Sequence, residues 1–302
     1  MTLNAYLPDQ SAPVTDQKVV NGLCQATDGS PYILIKNEDI GYLIHPRKDF
    51  THKGTYGHAL IIAGAQDTMG AALLTSGGCL YAGAGLTTAC IPDSGLTALN
   101  ATHPEIMFLS RHKAGDLNKY DVIAIGPGLG REEEGKSLLK GALASKKPLV
   151  LDADAINLLS ENEALKETLP HGIILTPHIK EFDRLFGKHD HWYARLQTGI
   201  AKAKKYQMVI VLKNQYTFII DKEGTVYINS TGHPAMAQGG MGDALTGIIA
   251  GFLAQGYNSR DAAVAGCYVH GKAGTTLAIE QFTVTASQVT KQIPITLKSL
   301  IS

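Results

Sequence analysis

A chain of 302 residues with 27 basic and 27 acidic side chains carries no net charge, which argues against an electrostatic partnership with nucleic acid or an anionic membrane. Any phosphate it binds must therefore be held by a local site. A chain this long buries about three quarters of its unfolded surface, so one large α/β domain needs no disulfide or metal staple. Cys24, Cys79, Cys90 and Cys267 lie far apart and form no C-x-x-C pair, a pattern that reads as free buried thiols. Asp9, Asp16, Gln17 and Lys18 interrupt any apolar N-terminal run, and no window reaches the ~18 apolar residues of a membrane span. A soluble, reducing, cytoplasmic setting is expected.

Residues 1–30 are polar and turn-rich, with Pro8, Pro13, Gly22 and Gly29. Tyr32 to Ile35 reads as an isolated strand that docks or pairs with another subunit. A boundary near Ile44 separates an N-terminal arm, 1–45, from a single domain, 46–302. From His58 onward, short apolar runs alternate with longer helical ones. His58 to Gly64, Leu86 to Ile91, Asp121 to Ile125, Leu149 to Asp152, Ile173 to Thr176 and Met208 to Leu212 carry the strand signature, and Gly70 to Gly85 reads as a closely packed helix. Continuous apolar strands between helices predict a parallel sheet covered on both faces. Tyr216 to Asp221 and Thr225 to Asn229, around Lys222-Glu223-Gly224, predict a hairpin. Helices follow over about Gly242 to Gln255, Arg260 to Glu280 and Ala286 to Leu300.

Five segments could carry chemistry. In Gln238-Gly239-Gly240-Met241-Gly242-Asp243 the glycines permit a tight turn with bare N–H groups. The following helix adds the positive end of its dipole, which suits an anion such as phosphate. Asp243 then falls in the first helical turn; the alternative is that it only caps the helix. Asp121 to Gly130 ends a strand in a Gly-Pro-Gly-x-Gly loop, either a packing turn or a substrate loop. Leu175-Thr176-Pro177-His178-Ile179-Lys180-Glu181 again ends a strand, with Thr176 or His178 facing a ligand, or the segment being only an ordinary N-cap with Glu181 as a favourable acid in the first turn. Lys213-Asn214-Gln215-Tyr216-Thr217 follows the strongest strand and could hold a phosphate or a base edge, or Lys213 could be a solvated charge. His52 to Gly57 and Ala63 to Ala72 form a further glycine-rich strand-to-helix turn.

Other signals carry less. Gly266 to Ala273 has Walker spacing but Ala273 where Ser or Thr must bind magnesium, and it lies in a helical pattern. His189-Asp190-His191-Trp192 reads as a solvated linker. Gly83-Ala84-Gly85 lacks the rest of a dinucleotide fingerprint.

Taken together and in order, HKGTYGHALIIAG, IGPGLG, LDADAINLL, LTPHIKEFDRLFG, VIVLKNQYTFI and QGGMGDALTGIIAGFLAQG resemble the ADP-dependent NAD(P)H-hydrate dehydratases of the ribokinase-like superfamily, from about His52 to the C-terminus. Ile179-Lys180 and Lys213-Asn214 depart from the Pro-Gly and Lys-Gly common in that family. The resemblance implies a ribokinase-like three-layer α/β/α fold with a mainly parallel sheet. It also implies a carbon–oxygen lyase that repairs hydrated NADH or NADPH, consuming ADP (or ATP) with Mg²⁺ and releasing AMP and phosphate. By the same resemblance Ala72, Gly128, His178 and Asp243 contact the hydrate. Lys213, Asn214, Gln215, Tyr216, Thr217, Gly239, Gly240 and Gly242 contact the nucleotide, and Asp243 is the general base. No residue is assigned as a metal ligand. Many relatives carry an upstream epimerase domain, for which the arm is too short, so a separate epimerase partner and a homo-oligomer, a tetramer by resemblance, are expected. The competing readings are a ribokinase-like kinase of a small alcohol or vitamin precursor and a non-catalytic nucleotide-binding protein.

Overall fold

The computed structural model describes residues 17–20, 23–26 and 32–301, with side chains from residue 32 onward. Most of the turn-rich stretch 1–30, and the Cys24 thiol, lie outside the described residues. The strands are β1 (Gln17–Val20), β2 (Leu23–Ala26), β3 (Tyr32–Leu34), β4 (His58–Ile62), β5 (Leu86–Ile91), β6 (Met107–Ser110), β7 (Val122–Ile125), β8 (Leu149–Leu151), β9 (Ile174–Leu175), β10 (Val209–Leu212), β11 (Thr217–Ile220) and β12 (Val226–Asn229). The helices are α1 (Asn37–Leu43), α2 (Met69–Ala82), α3 (Leu96–Thr102), α4 (Glu133–Ala144), α5 (Ala153–Ser160), α6 (Glu163–Glu167), α7 (Ile179–Phe186), α8 (Trp192–Tyr206), α9 (Met241–Ala254), α10 (Ser259–Leu277) and α11 (Ala286–Leu300).

β1 and β2 pair with each other, and the other strands form one ten-stranded sheet in the order β3-β12-β11-β10-β9-β8-β7-β4-β5-β6. Its neighbours are parallel except where β11 runs against β10 and β12, the expected hairpin. The apolar strands divide between two cores, as burial on both faces requires. Ala59, Ile61, Val209 and Val211 face α2, α9, α10 and α11, while Leu60, Ile62, Ile210 and Leu212 face α4, α5, α7 and α8.

The strand read as isolated is the edge strand of its own chain's sheet. β3 pairs in parallel with β12, and the Ile35 N–H donates to the Ile228 carbonyl at 3.0 Å. Tyr32, Ile33 and Ile35 are buried there, and Asn37 of α1 accepts from the Tyr268 hydroxyl at 3.2 Å, so sheet and core continue across the boundary placed near Ile44. A parallel partner so distant along the chain leaves no local signal. Within the His189 linker, Asp190 and His191 are exposed as expected, but His189 is not: its ring lies 2.9 Å from Asp183 and 2.8 Å from Thr198. Cys79, Cys90 and Cys267 are free and buried, and no helix among the described residues is long and apolar enough to cross a membrane.

From β4 the chain adds β5 and β6 on one side, then returns to lay β7 to β10 on the other. That reversal opens a crevice between the carboxyl ends of β4 and β7, the usual ligand position in open α/β sheets.

Candidate active site

The carboxyl ends of β8, β9 and β10 meet the start of α9 around Asp152, which is 1% exposed. The Lys213 ammonium donates to its Oδ1 at 2.8 Å and the Thr246 hydroxyl to its Oδ2 at 2.7 Å. Thr176, fully buried, stands 3.4 Å from the Thr246 hydroxyl. Burial works against the Lys213 charge, but Asp152, Glu181 and Asp243 outweigh it and raise its pKa, so the ammonium persists. For Glu181 burial favours the protonated acid, yet the His178 hydrogen bonds and Lys213 prevail and lower its pKa.

Asp243 is the exception. Burial, then the negative charge of Asp152, lifts its carboxyl to about 6, with Lys213 pulling the other way. It lies in the first turn of α9 without a capping bond, so the capping alternative is not what the geometry shows. The N-cap is Gly240, at φ +86, where a side chain would both strain the backbone and stand 2.3 Å from Leu74 Cδ1. With no side-chain cap at Gly240, the first N–H groups of α9 are left open, the arrangement that suits an anion. Gly242 sits so close to the cation that a Cβ there would stand 3.2 Å from Lys213 Nζ, and Gly239 faces open space.

Beside this candidate anion seat lies a cavity of about 540 Å³. Lys213, Asn214, Gln215, Tyr216 and Thr217 form one wall, Gly242 and Met241 another, and Cys267, His270 and Gly271 of α10 close it. Of the residues expected to meet a nucleotide, Lys213 to Thr217 and Gly242 line this one cavity, whereas Gly239 and Gly240 lie at the start of α9 outside its lining. The residues expected to meet the hydrate are spread along the same edge. His178 caps α7: its Nδ1 accepts from Lys180 N at 3.1 Å and Glu181 N at 3.3 Å, while Nε2 lies 3.2 Å from Glu181 Oε1. Its side chain remains 51% exposed, so the cap leaves a face for a ligand. Gly128 is stitched to the β4–α2 loop, its carbonyl accepting from Thr68 Oγ1 at 2.7 Å. Ala72, in the first turn of α2, is 1% exposed and packs against Gly64 just past the end of β4.

Sequence reading missed four residues. Asp152 carries a faint signal, an acid directly after a buried strand at the ligand edge, and Ala153 after it holds a non-glycine φ of +46. Thr246 and His270 sit in apolar helical patterns that give no warning. Arg111, 7% exposed, donates to the carbonyls of Ala63 and Leu129 at 3.3 Å, to that of Gly64, and to Glu134 at 2.9 Å, clamping the two crevice loops together. Gly266 to Ala273 lies within α10, as its helical pattern implied.

A mainly parallel sheet between helical layers, with an open helix start suited to an anion and a nucleotide-sized cavity at its carboxyl edge, defines a ribokinase-like α/β protein. The family model described as NAD(P)H-hydrate dehydratase matches residues 59–295, and the chain belongs to that family. The ADP-dependent (S)-NAD(P)H-hydrate dehydratase of Staphylococcus aureus is 35% identical over 269 residues, covering 86% of this chain and 95% of that protein. A bifunctional NAD(P)H-hydrate repair enzyme of Moorella thermoacetica is 38% identical over 280 residues, covering 84% of this chain and 52% of that protein. The chain thus spans about half the length of the bifunctional relatives it matches. The crystal structure of an ADP/ATP-dependent NAD(P)H-hydrate dehydratase from Bacillus subtilis, obtained with ATP and Mg²⁺, is similar with a TM-score of 0.80 and 31% identity, over 88% of this chain and 97% of that one.

Proposed function

We propose that the chain is an ADP-dependent (S)-NAD(P)H-hydrate dehydratase, returning hydrated NADH or NADPH to the reduced dinucleotide with release of AMP and phosphate. The observation that carries this reading is the Asp243 carboxyl, lifted to about 6 and set between an anion seat and Lys213. Hydroxide leaves the hydrated ring poorly, whereas phosphate leaves easily. Asp243, largely ionised at neutral pH, accepts the hydroxyl proton as the oxygen attacks the terminal phosphorus of ADP and the bond to AMP breaks. The N–H groups at the start of α9 and the Lys213 ammonium stabilise the charge on the transferring group. The C–O bond then breaks as the ring nitrogen lone pair expels phosphate to leave an iminium, and loss of a proton from the adjacent ring carbon restores the dihydronicotinamide.

Among the described residues no three His, Cys, Asp or Glu side chains converge as a metal cage. That fits Mg²⁺, which is usually held by substrate phosphates with one or two carboxylates, and Glu181, held below its ordinary pKa at this edge, would be one carboxylate able to take part. Bound with the nucleotide, the ion offsets phosphate charge. The same reading includes a cytoplasmic location, a separate epimerase supplying the (S) hydrate, and a homo-oligomer, which light scattering on the purified chain tests directly.

The deciding experiment incubates the protein with NADH hydrate, Mg²⁺ and either ADP or ATP, following absorbance at 340 nm and free phosphate. Recovery of the 340 nm band with stoichiometric phosphate supports the reading. A stable phosphorylated product would instead indicate a kinase, and binding without turnover a nucleotide-binding protein.

A further inference from the structure

A second, smaller crevice of about 300 Å³ opens at the carboxyl ends of β4, β5 and β6. Ala65, Gln66, Asp93, Ser94, Arg111 and His112 line it. Neighbouring strands are about 4.8 Å apart, so the edge is a ruler: from Asp152 at β8, across β7 and β4 to β5, is about 14 Å. The cavity beside Lys213 to Thr217 lies in the opposite direction, toward β11 and β12. The two cavities therefore flank the catalytic carboxylate along one edge.

A hydrated dinucleotide is two nucleosides joined by a pyrophosphate. With its nicotinamide at Asp243 and ADP in the larger cavity, its adenosine must leave along the free half of the edge, over the loops clamped by Arg111. The volume at β5 suits a single nucleoside and not a whole dinucleotide. Its walls are also unspent: the side chains of Gln66, Asp93, Ser94 and His112 form no hydrogen bond within the described chain, and the buried Nε of Arg111 has no partner. β4, α2 and β5 form a βαβ unit whose helix starts without a side-chain cap, and Asp93 stands just past the end of the second strand. In the βαβ units that bind dinucleotides through a glycine fingerprint, a carboxylate at that position accepts hydrogen bonds from the adenosine ribose; this unit shares the carboxylate's position, though not the fingerprint.

We propose that this crevice seats the adenosine half of the hydrate, with Asp93 accepting from the ribose hydroxyls. A carboxylate there disfavours a 2′-phosphate, so NADH hydrate is the better substrate. The assignment rests on the dehydratase reading.

The test compares the hydrates of NADH, NADPH and reduced nicotinamide mononucleotide at saturating ADP and Mg²⁺. The wild type is expected to show kcat/KM at least about tenfold higher for NADH hydrate than for the mononucleotide hydrate, a difference of about 1.4 kcal/mol. In Ser94→Trp, which fills the crevice from an exposed position, that ratio falls toward one. Asp93→Asn narrows the preference for NADH hydrate over NADPH hydrate. Equal kcat/KM for dinucleotide and mononucleotide hydrates, or an unchanged ratio in Ser94→Trp, would overturn this assignment while leaving the dehydratase reading intact. Turnover of no hydrate would overturn the dehydratase reading, and the assignment with it.

Discussion

The Lys213 ammonium reaches the Asp152 carboxylate at 2.8 Å, joining the ends of β10 and β8 across the intervening β9. Thr246 of α9 holds the other oxygen of the same carboxylate at 2.7 Å. One buried acid therefore ties two strands to the helix that presents the anion seat and Asp243. Lys213 is held in position before any phosphate arrives, and the negative charge of Asp152 helps lift the Asp243 carboxyl.

Removing one partner of this pair should cost more than removing both. Lys213→Met leaves a nearly unexposed carboxylate with Thr246 alone and is expected to destabilise the fold by about 3 kcal/mol. Adding Asp152→Asn to it should recover part of that loss, because the pair is coupled. Urea denaturation of the two single variants and the double variant measures this directly; strict additivity would refute the coupling.

Asp243→Asn should lower kcat by about 10² to 10⁴, the usual contribution of a general base, while ADP still binds. In the wild type kcat/KM should fall as pH drops below about 6, and this acid limb should vanish from the residual activity of the variant. The stability effect has the opposite sense. The folded value, about 6, exceeds the ordinary 3.8, so the native state holds a proton that the unfolded chain releases between those values. Stability contributed by this group is lost as pH rises through that window, and Asp243→Asn should be more stable at pH 7 by on the order of 1–3 kcal/mol. Thermal melts at pH 4 and pH 7 check the sign.

Much of this was legible in the sequence because the parallel strands, such as Val209 to Leu212, are buried on both faces and read as unbroken apolar runs. The glycine segment before α9 was equally plain, since glycine that dense ahead of an apolar helix needs a reason such as the left-handed Gly240. Edge elements were not. Met107 in β6 is 40% exposed, so that strand lacks a continuous apolar signature, and β3 is short with its partner far away along the chain. Arg111 was invisible because its role depends on carbonyls of Gly64 and Leu129 that meet only in the fold.

His178 separates two roles that sequence could not. His178→Ala removes the N-cap of α7 and should cost about 1 kcal/mol. His178→Asn keeps a capping side chain and should preserve stability. If the ring also faces the hydrate, both variants should raise KM for that substrate about tenfold, the worth of one hydrogen bond, with KM for ADP unchanged. Wild-type KM in His178→Asn would reduce His178 to a cap.

The contact between α2 and α9 sets where Asp243 stands, and it admits no side chain. A Cβ on Gly247 would lie 1.8 Å from the Thr75 carbonyl oxygen, and one on Gly78 2.4 Å from that of Ala244. Helices packed this closely behave as one body, so α9 cannot shift without moving the β4–α2 loop. Gly247→Ala should therefore destabilise by about 1–3 kcal/mol, as overpacking does. It should also lower kcat, because Thr246 and Asp243 ride on the turn being pushed. Gly141→Ala is the control: it lies on an exposed position of α4, where an added Cβ meets nothing within 4 Å. There the better helix former should be neutral or stabilise by up to about 1 kcal/mol. Equal melting temperatures for the two variants would show that the α2–α9 contact is softer than its spacing implies.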